Sequence, residues 1–92
     1  MTDDETSRLT VYVSPSCPHC RATLEYLAGR QVSFDVRDVT GDRDALAHLI
    51  WITGRATVPA VVAGRDVLVG FDATRLEEMI EAMNRPVPDS ER

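Results

Sequence analysis

Lysine is absent from the sequence, and all ten basic residues are arginines. This absence excludes a lysine nucleophile and a lysine Schiff base from the chemistry of the chain. No apolar run reaches the roughly 18 residues that a membrane span requires, and the acidic start MTDDETSR does not resemble a secretory signal. The net charge of −5 argues against a nucleic-acid partner. We therefore expect a cytoplasmic protein that binds neither membranes nor nucleic acid.

Cysteine is also scarce, because the chain has only two. In a compartment that keeps thiols reduced, a structural disulfide between them is not expected. Zinc takes four ligands, and the two histidines, His19 and His48, do not stand at ligand-like spacing. The sequence therefore predicts no metal site.

The length of 92 residues suits one domain, and 43% hydrophobic with 27% charged residues is typical of a globular protein. Residues 1–8 and the tail 85–92 are polar, charged or interrupted by proline, so we expect both ends to be flexible. Residues 9–84 remain for the domain, and no internal repeat divides them.

Apolar residues alternate with others over Leu9–Val13 and again over Val32–Val36, which predicts two half-buried strands, the second at a sheet edge. The segment Val58–Ala63 is almost wholly apolar, as expected for a central strand buried on both faces. The turn-like segment 63–66 connects it to a fourth strand at Val67–Val69, which predicts a hairpin.

Three segments carry apolar residues at helical spacing. Pro18 fits the first turn of the first helix and Gly29 its end. The segment Thr40-Gly41-Asp42 offers turn and cap residues before the second helix, Gly54 ends that helix, and Asp72 fits the N-cap of the third. The predicted buried faces are Cys20, Leu24, Leu27 and Ala28; Leu46, Leu49, Ile50 and Thr53; and Leu76, Met79, Ile80 and Met83.

The resulting element order is β-α-β-α-β-β-α. A helix between the first two strands makes them parallel neighbours, and the hairpin adds antiparallel strands. The predicted fold class is therefore α/β, with a four-stranded mixed sheet flanked by three helices.

The two cysteines form the motif Cys17-Pro18-His19-Cys20 at the junction of the first strand and the first helix. This spacing beside a β-α-β pattern is typical of a redox dithiol. Cys17 lies at the helix N-terminus, where free N–H groups and the helix dipole lower the pKa of a thiol. Cys20 lies on the apolar face, so its pKa should stay high. We expect Cys17 to attack a disulfide and Cys20 to resolve the mixed disulfide, with two inert buried thiols as the alternative.

The strand 10–14 running into this motif, followed by Thr57-Val58-Pro59 and Gly70-Phe71-Asp72, resembles the glutaredoxin family. The resemblance covers about residues 9–84 and implies the thioredoxin-like fold of glutaredoxin type, βαβαββα. It implies a dithiol–disulfide oxidoreductase whose partners are protein disulfides, or mixed disulfides with small thiols, and a reductase or small thiol as electron donor. We expect a monomer with no bound cofactor, and glutathione or another low-molecular-weight thiol as a possible co-substrate.

The resemblance also implies the site residues, with Cys17 and Cys20 as the catalytic pair. In the family the proline is cis and the residue before it offers main-chain hydrogen bonds to the bound thiol, which implies a cis Val58–Pro59 bond. The dipeptide between the cysteines also resembles that of the periplasmic oxidase DsbA, whose histidine stabilises the thiolate; an ordinary exposed position is the alternative for His19. The thiol-binding residues implied in this way are Pro18, His19, Thr57, Val58, Pro59, Gly70, Phe71 and Asp72.

Three positions depart from the family pattern. Ser14 stands where glutaredoxins usually carry Lys or Arg, Leu46 aligns with a polar or basic position, and Ala73 replaces the second acidic residue after the aromatic. These positions contact glutathione in the family, so an NrdH-like redoxin recharged by thioredoxin reductase is an alternative. One of three arginines could replace the missing contacts: Arg43, Arg55 or Arg75.

Two function classes other than an oxidoreductase stay open. A metal or iron–sulfur carrier would use Cys17 of two chains with an external thiol, and Pro18 argues against it. A regulatory adaptor would dock through Trp51, which the helical pattern places on the outward face beside His48.

Overall fold

The computed structural model describes residues 9–30, 32–64 and 66–84. The ends predicted to be flexible, residues 1–8 and 85–92, lie outside the described residues, as does the side chain of Met83. None of the helices in the described ranges combines the length and the apolar composition of a membrane span.

The described residues form four strands and three helices in the predicted order. The strands are β1 (Leu9–Val13), β2 (Phe34–Asp38), β3 (Ala60–Ala63) and β4 (Asp66–Val69), and the helices are α1 (Pro18–Gly29), α2 (Arg43–Thr53) and α3 (Ala73–Asn84). The sheet order is β2-β1-β3-β4. Strands β1 and β2 run parallel, whereas β1–β3 and β3–β4 are antiparallel. The mixed sheet, with β2 at an edge and β3–β4 as a hairpin, is confirmed.

Short polar residues and a glycine explain where α2 and α3 begin or end. The Asp42 carboxylate accepts hydrogen bonds from main-chain N–H groups of the first turn of α2 at 3.0 and 3.2 Å. Gly54 closes α2 with a φ of 82°, in the left-handed region that favours glycine. The Asp72 carboxylate caps α3 by accepting from the N–H of Arg75 at 3.2 Å. The caps predicted for both helices are confirmed.

Helices cover both faces of the sheet, which corrects the interpretation of β1 as a half-buried strand. The aliphatic residues of β1 pack on one face against α1 and α3. Tyr12 points to the other face, where it is 2% exposed and packs with Ala45 and Leu49 of α2. The alternation in β1 therefore separates two buried faces rather than a buried face from a solvated one.

The buried faces of α1 and α2 differ from the predicted ones at four positions. In α1, Thr23 is buried whereas Ala28 is exposed. Burial of Thr23 costs little, because its hydroxyl donates to the carbonyl of His19 at 2.9 Å. In α2, Ala45 is fully buried whereas Ile50 is 43% exposed. The face of α2 that meets the sheet is therefore rotated away from Ile50 and towards the small side chain of Ala45.

Leu49→Ala is expected to lower the free energy of unfolding by about 2–5 kcal/mol, because Leu49 is fully buried and its truncation leaves a cavity. Ile50→Ala is the matched control at the next position of the same helix, and it should cost about 1 kcal/mol or less because this side chain is partly exposed. Urea unfolding at an unchanged slope measures both losses. Equal losses would contradict the observed orientation of α2.

Candidate active site

Cys17 stands where β1 has ended and α1 begins. It is the N-cap residue of α1, with extended backbone angles (φ −95°, ψ 114°), and Pro18 is the first helical residue. The N–H of Cys17 donates to the carbonyl of Ser14 at 3.2 Å, which closes the connecting turn. The side chain of Cys17 is half-buried, so a substrate can reach its sulfur.

The first turn of α1 stabilises negative charge on Cys17. The main-chain N–H of Cys20 donates to Sγ of Cys17 at 3.2 Å. The pKa of Cys17 is lowered, first by the hydrogen bond from the Cys20 thiol and then, against partial burial, by the N–H groups of Cys20 and His19. The predicted direction is confirmed, and the contribution of His19 comes from its main chain rather than from its exposed imidazole.

Cys20 has the opposite environment. Its side chain is 2% exposed and packs in the core formed by β1, α1 and α3. Burial, followed by the hydrogen bond with Cys17, raises the pKa of Cys20 to about 11. Both cysteines are free thiols in this structure. The pair therefore consists of a nucleophile whose thiolate form is stabilised and a partner that stays protonated at neutral pH.

The segment Val58-Pro59 lies against Cys17, as the resemblance implied. The Val58–Pro59 peptide bond is cis. The thiol of Cys17 lies 3.9 Å from the carbonyl oxygen of Val58, to which it can donate. Pro59 is buried, and its carbonyl accepts from the N–H of Gly70 at 2.7 Å. Gly70 has a φ of 92°, which favours glycine there. The structure thus places Cys17 beside Val58, and the hydrogen bond to Pro59 links this segment to Gly70.

The other predicted thiol-binding residues adjoin Cys17, Val58 or Gly70 in the chain, and of these His19 contacts the sulfur of Cys17 through its main-chain N–H. Thr57 is exposed and directly precedes Val58, and the side chain of His19 is exposed in the first turn of α1. Phe71 follows Gly70 and is 37% exposed. The Asp72 carboxylate is engaged in capping α3. That these residues bind the thiol of a substrate stays a prediction.

The sequence model described as Glutaredoxin matches residues 9–68 of the chain. The chain belongs to the glutaredoxin family. Glutaredoxin-1 of Mus musculus is 31% identical over 88 residues, which cover 88% of this chain and 82% of that protein. The structure of a glutaredoxin from Archaeoglobus fulgidus matches with a TM-score of 0.75 at 27% identity, covering 87% of this chain and 92% of that one. The glutaredoxin-like protein NrdH-redoxin from Escherichia coli matches with a TM-score of 0.70 at 26% identity, covering 88% of this chain and 99% of that one.

Membership in the glutaredoxin family confirms the thioredoxin-like fold and a redox protein with two neighbouring cysteines. Thiol–disulfide oxidoreductase activity is the general activity of this family. Among the described residues, no group of three or more His, Cys, Asp or Glu side chains is arranged to hold a metal ion.

Tyr26 joins the cysteine-bearing helix of this glutaredoxin-family protein to the segment after β4. Its hydroxyl donates to the Glu77 carboxylate at 2.7 Å, and its ring meets that of Phe71 edge to face with centroids 6.3 Å apart. Glu77 also pairs with Arg30. The hydrogen bond with Glu77 raises the pKa of Tyr26, so the phenol stays protonated as a donor. Sequence reasoning missed this link because Tyr26 and Glu77 are 51 positions apart.

A hollow of about 330 Å³ also borders Cys17, and sequence reasoning missed it. Its lining consists of Pro15, Ser16, Cys17, Pro18 and Arg21. Arg21 stands four positions after Cys17, which is one helical turn, and this spacing is the signal that could have identified it.

Cys20→Ala is expected to raise the pKa of Cys17 towards the ordinary thiol value, because the substitution removes the hydrogen bond that contributes most to lowering it. The pKa should stay below the ordinary value, since the main-chain N–H groups remain. The measurement is the pH dependence of alkylation by iodoacetamide, whose midpoint should move to higher pH.

Cys20→Ser is the matched control, because a hydroxyl can still donate to the Cys17 thiolate. Its alkylation midpoint should lie between those of the wild type and Cys20→Ala. An unchanged midpoint in Cys20→Ala would show that the main chain alone stabilises the thiolate.

Proposed function

We propose that this protein is a cytoplasmic dithiol–disulfide oxidoreductase that reduces protein disulfides or mixed disulfides with small thiols. The observation that carries the proposal is the asymmetry of the cysteine pair. A solvent-accessible sulfur with a lowered pKa lies beside a buried thiol whose pKa is raised to about 11. A nucleophile and a resolving thiol need these two different environments. The protein acts as a monomer without a bound cofactor.

The first step is the attack of the Cys17 thiolate on one sulfur of the substrate disulfide. A new S–S bond forms to Cys17, and the other substrate sulfur leaves with the electron pair and takes up a proton. The sulfur bound to Cys17 then lies beside the main chain of Val58, whose carbonyl is 3.9 Å from Sγ of Cys17 in the free protein. The surrounding thiol-binding surface consists of Pro18, His19, Thr57, Pro59, Gly70, Phe71 and Asp72.

The second step is resolution by Cys20. Burial raises the pKa of Cys20 most, and the hydrogen bond with Cys17 and the negative charge on Cys17 raise it further. Once Cys17 is in a mixed disulfide, that charge is gone and Cys20 loses its proton more easily. The Cys20 thiolate then attacks Sγ of Cys17 and releases the bound substrate sulfur as a thiol. In total the substrate gains two electrons and two protons, and Cys17–Cys20 becomes a disulfide.

The electron donor that reduces this disulfide is either glutathione, or another small thiol, or thioredoxin reductase. Thioredoxin reductase is favoured as the donor by the side chains that this chain carries at the positions where the family contacts glutathione. Ser14 and Ala73 carry no charge there, and Leu46 is half-buried. Arg75, one possible replacement, pairs with Glu78 at 3.0 Å. The similar NrdH-redoxin from Escherichia coli is described as having a thioredoxin-like activity profile, which supports the same choice.

Cys17→Ser is expected to abolish disulfide reduction, with a loss of more than about a thousandfold, because serine is not ionised at neutral pH. Cys20→Ser is the matched control: it keeps the nucleophile and should accumulate the mixed disulfide between Cys17 and the substrate. Intact-mass spectrometry after a single turnover detects this adduct. Full reduction by Cys17→Ser would refute the proposed mechanism.

Two NADPH-coupled assays identify the electron donor. One contains glutathione with glutathione reductase, and the other contains thioredoxin reductase alone. Turnover with thioredoxin reductase alone is expected, because the charged contacts for glutathione are replaced. Turnover in the glutathione assay only would show that other residues, such as Arg43 or Arg55, bind glutathione.

A further inference from the structure

The hollow beside Cys17 is separate from Val58, Pro59 and Gly70, because none of these three residues lines it. Its volume of about 330 Å³ suffices for a few substrate atoms, since ligand pockets start at about 300 Å³. A substrate bonded to Cys17 therefore has a second space available for groups near its disulfide. Neither step of the proposed mechanism uses this space.

Among the described residues that line this hollow, Arg21 carries the only positive charge, and the sulfur of Cys17 is the only group that can carry a negative one. The main-chain N–H of Arg21 donates to the carbonyl of Cys17 at 3.3 Å, which holds Arg21 one turn above the nucleophile. Cys17 and Arg21 also line a smaller hollow nearby, and Glu25, one turn further along α1, lines that smaller hollow but not the larger one. Once Cys17 is bonded to a substrate sulfur and has lost its charge, Arg21 thus leaves this hollow positively charged in a chain whose net charge is −5.

The guanidinium of Arg21 has no partner among the described residues. Three other arginines, Arg30, Arg37 and Arg75, each pair with a carboxylate. Arg21 makes no ion pair and no side-chain hydrogen bond within the described part of the chain, and it is exposed. Arg21 is also not among the groups that lower the pKa of Cys17. Its charge is therefore available to a molecule from outside.

The chemistry of the lining indicates which group would bind. A guanidinium forms paired hydrogen bonds with a carboxylate, and the Ser16 hydroxyl adds a further donor. Pro15 and Pro18 supply rigid apolar walls without charge. We propose that this hollow is a subsite for a carboxylate carried near the substrate's disulfide, held by Arg21. This inference rests on the proposed disulfide reduction.

Such a carboxylate has two sources, an acidic residue next to the cysteine of a protein or a small acidic thiol. Peptides with one cysteine in a mixed disulfide with 2-mercaptoethanol represent the first source, with Glu, Gln or Lys beside the cysteine. Dithiodipropionate, hydroxyethyl disulfide and cystamine represent the second as anionic, neutral and cationic small disulfides. The measured quantity is the second-order rate constant for the reaction of the reduced protein with each disulfide.

In the wild type the anionic probe of a series should react faster than the cationic one. The comparison is between the Glu and Lys peptides in the first series and between dithiodipropionate and cystamine in the second. Arg21→Gln should reduce the ratio of the anionic to the cationic rate constant by about fivefold, which is the upper range for an exposed ion pair. The rate constant with the neutral probe should stay nearly unchanged. Arg21→Lys should keep most of the preference, because it keeps the charge. A preference found in only one probe series still supports the subsite and identifies the source of the carboxylate.

Ala28→Glu is the matched control, because it lowers the net charge by one, as Arg21→Gln does, at an exposed position of the same helix. An equal loss of preference in Ala28→Glu would overturn the subsite and assign the effect to net charge. An equal slowing of all probes by Arg21→Gln, with a raised alkylation midpoint, would also overturn it and assign Arg21 to the thiolate. If the wild type does not react even with the neutral probes, the proposed function itself fails.

Discussion

The site depends on one interaction, the capping of α1 by the sulfur of Cys17. A helix start leaves main-chain N–H groups without partners, and a Ser, Thr, Asn or Asp side chain usually accepts from them. Here Sγ of Cys17 takes that place and accepts from the N–H of Cys20 at 3.2 Å. A thiolate accepts more strongly than a thiol, so the helix stabilises the reactive form. The same turn directs the side chain of Cys20 into the core, which gives the pair its asymmetry.

The strand register places the segments before β3 and after β4 near the sulfur of Cys17. Tyr12 pairs with Ala60 across β1 and β3, so the residues just before β3 lie near the end of β1 and its cysteine. Ala60 pairs in turn with Val69 across the hairpin, which sets Pro59 opposite Gly70. The hydrogen bond from Gly70 to Pro59 follows from this register. Backbone pairing alone thus assembles residues that lie in three separate parts of the chain.

Local pattern predicted the elements, their order, the helix caps and the cysteine pair, because spacing and cap residues report on local structure. It failed where burial depends on distant partners. Tyr12 is buried because α2 covers the second face of the sheet, and Ile50 is exposed because α2 meets the sheet through Ala45. Val36 lies at an apolar position of the alternating pattern, but it is 49% exposed because β2 is an edge strand with a neighbour on one side only. The contact between Tyr26 and Glu77 likewise depends on how α1 and α3 pack.

Within the site, the chemistry and the recognition rest on different parts of the molecule. Apart from the thiol of Cys20, which contributes most to lowering the pKa of Cys17, the groups around its sulfur are main-chain: the N–H groups of Cys20 and His19 and the carbonyl of Val58. Substitution of neighbouring side chains leaves these groups in place as long as the fold persists. Substrate charge, in contrast, is recognised by side chains, which is the role proposed for Arg21. This division explains how the chain keeps the redox pair of the glutaredoxin family while three positions that contact glutathione in that family carry uncharged residues.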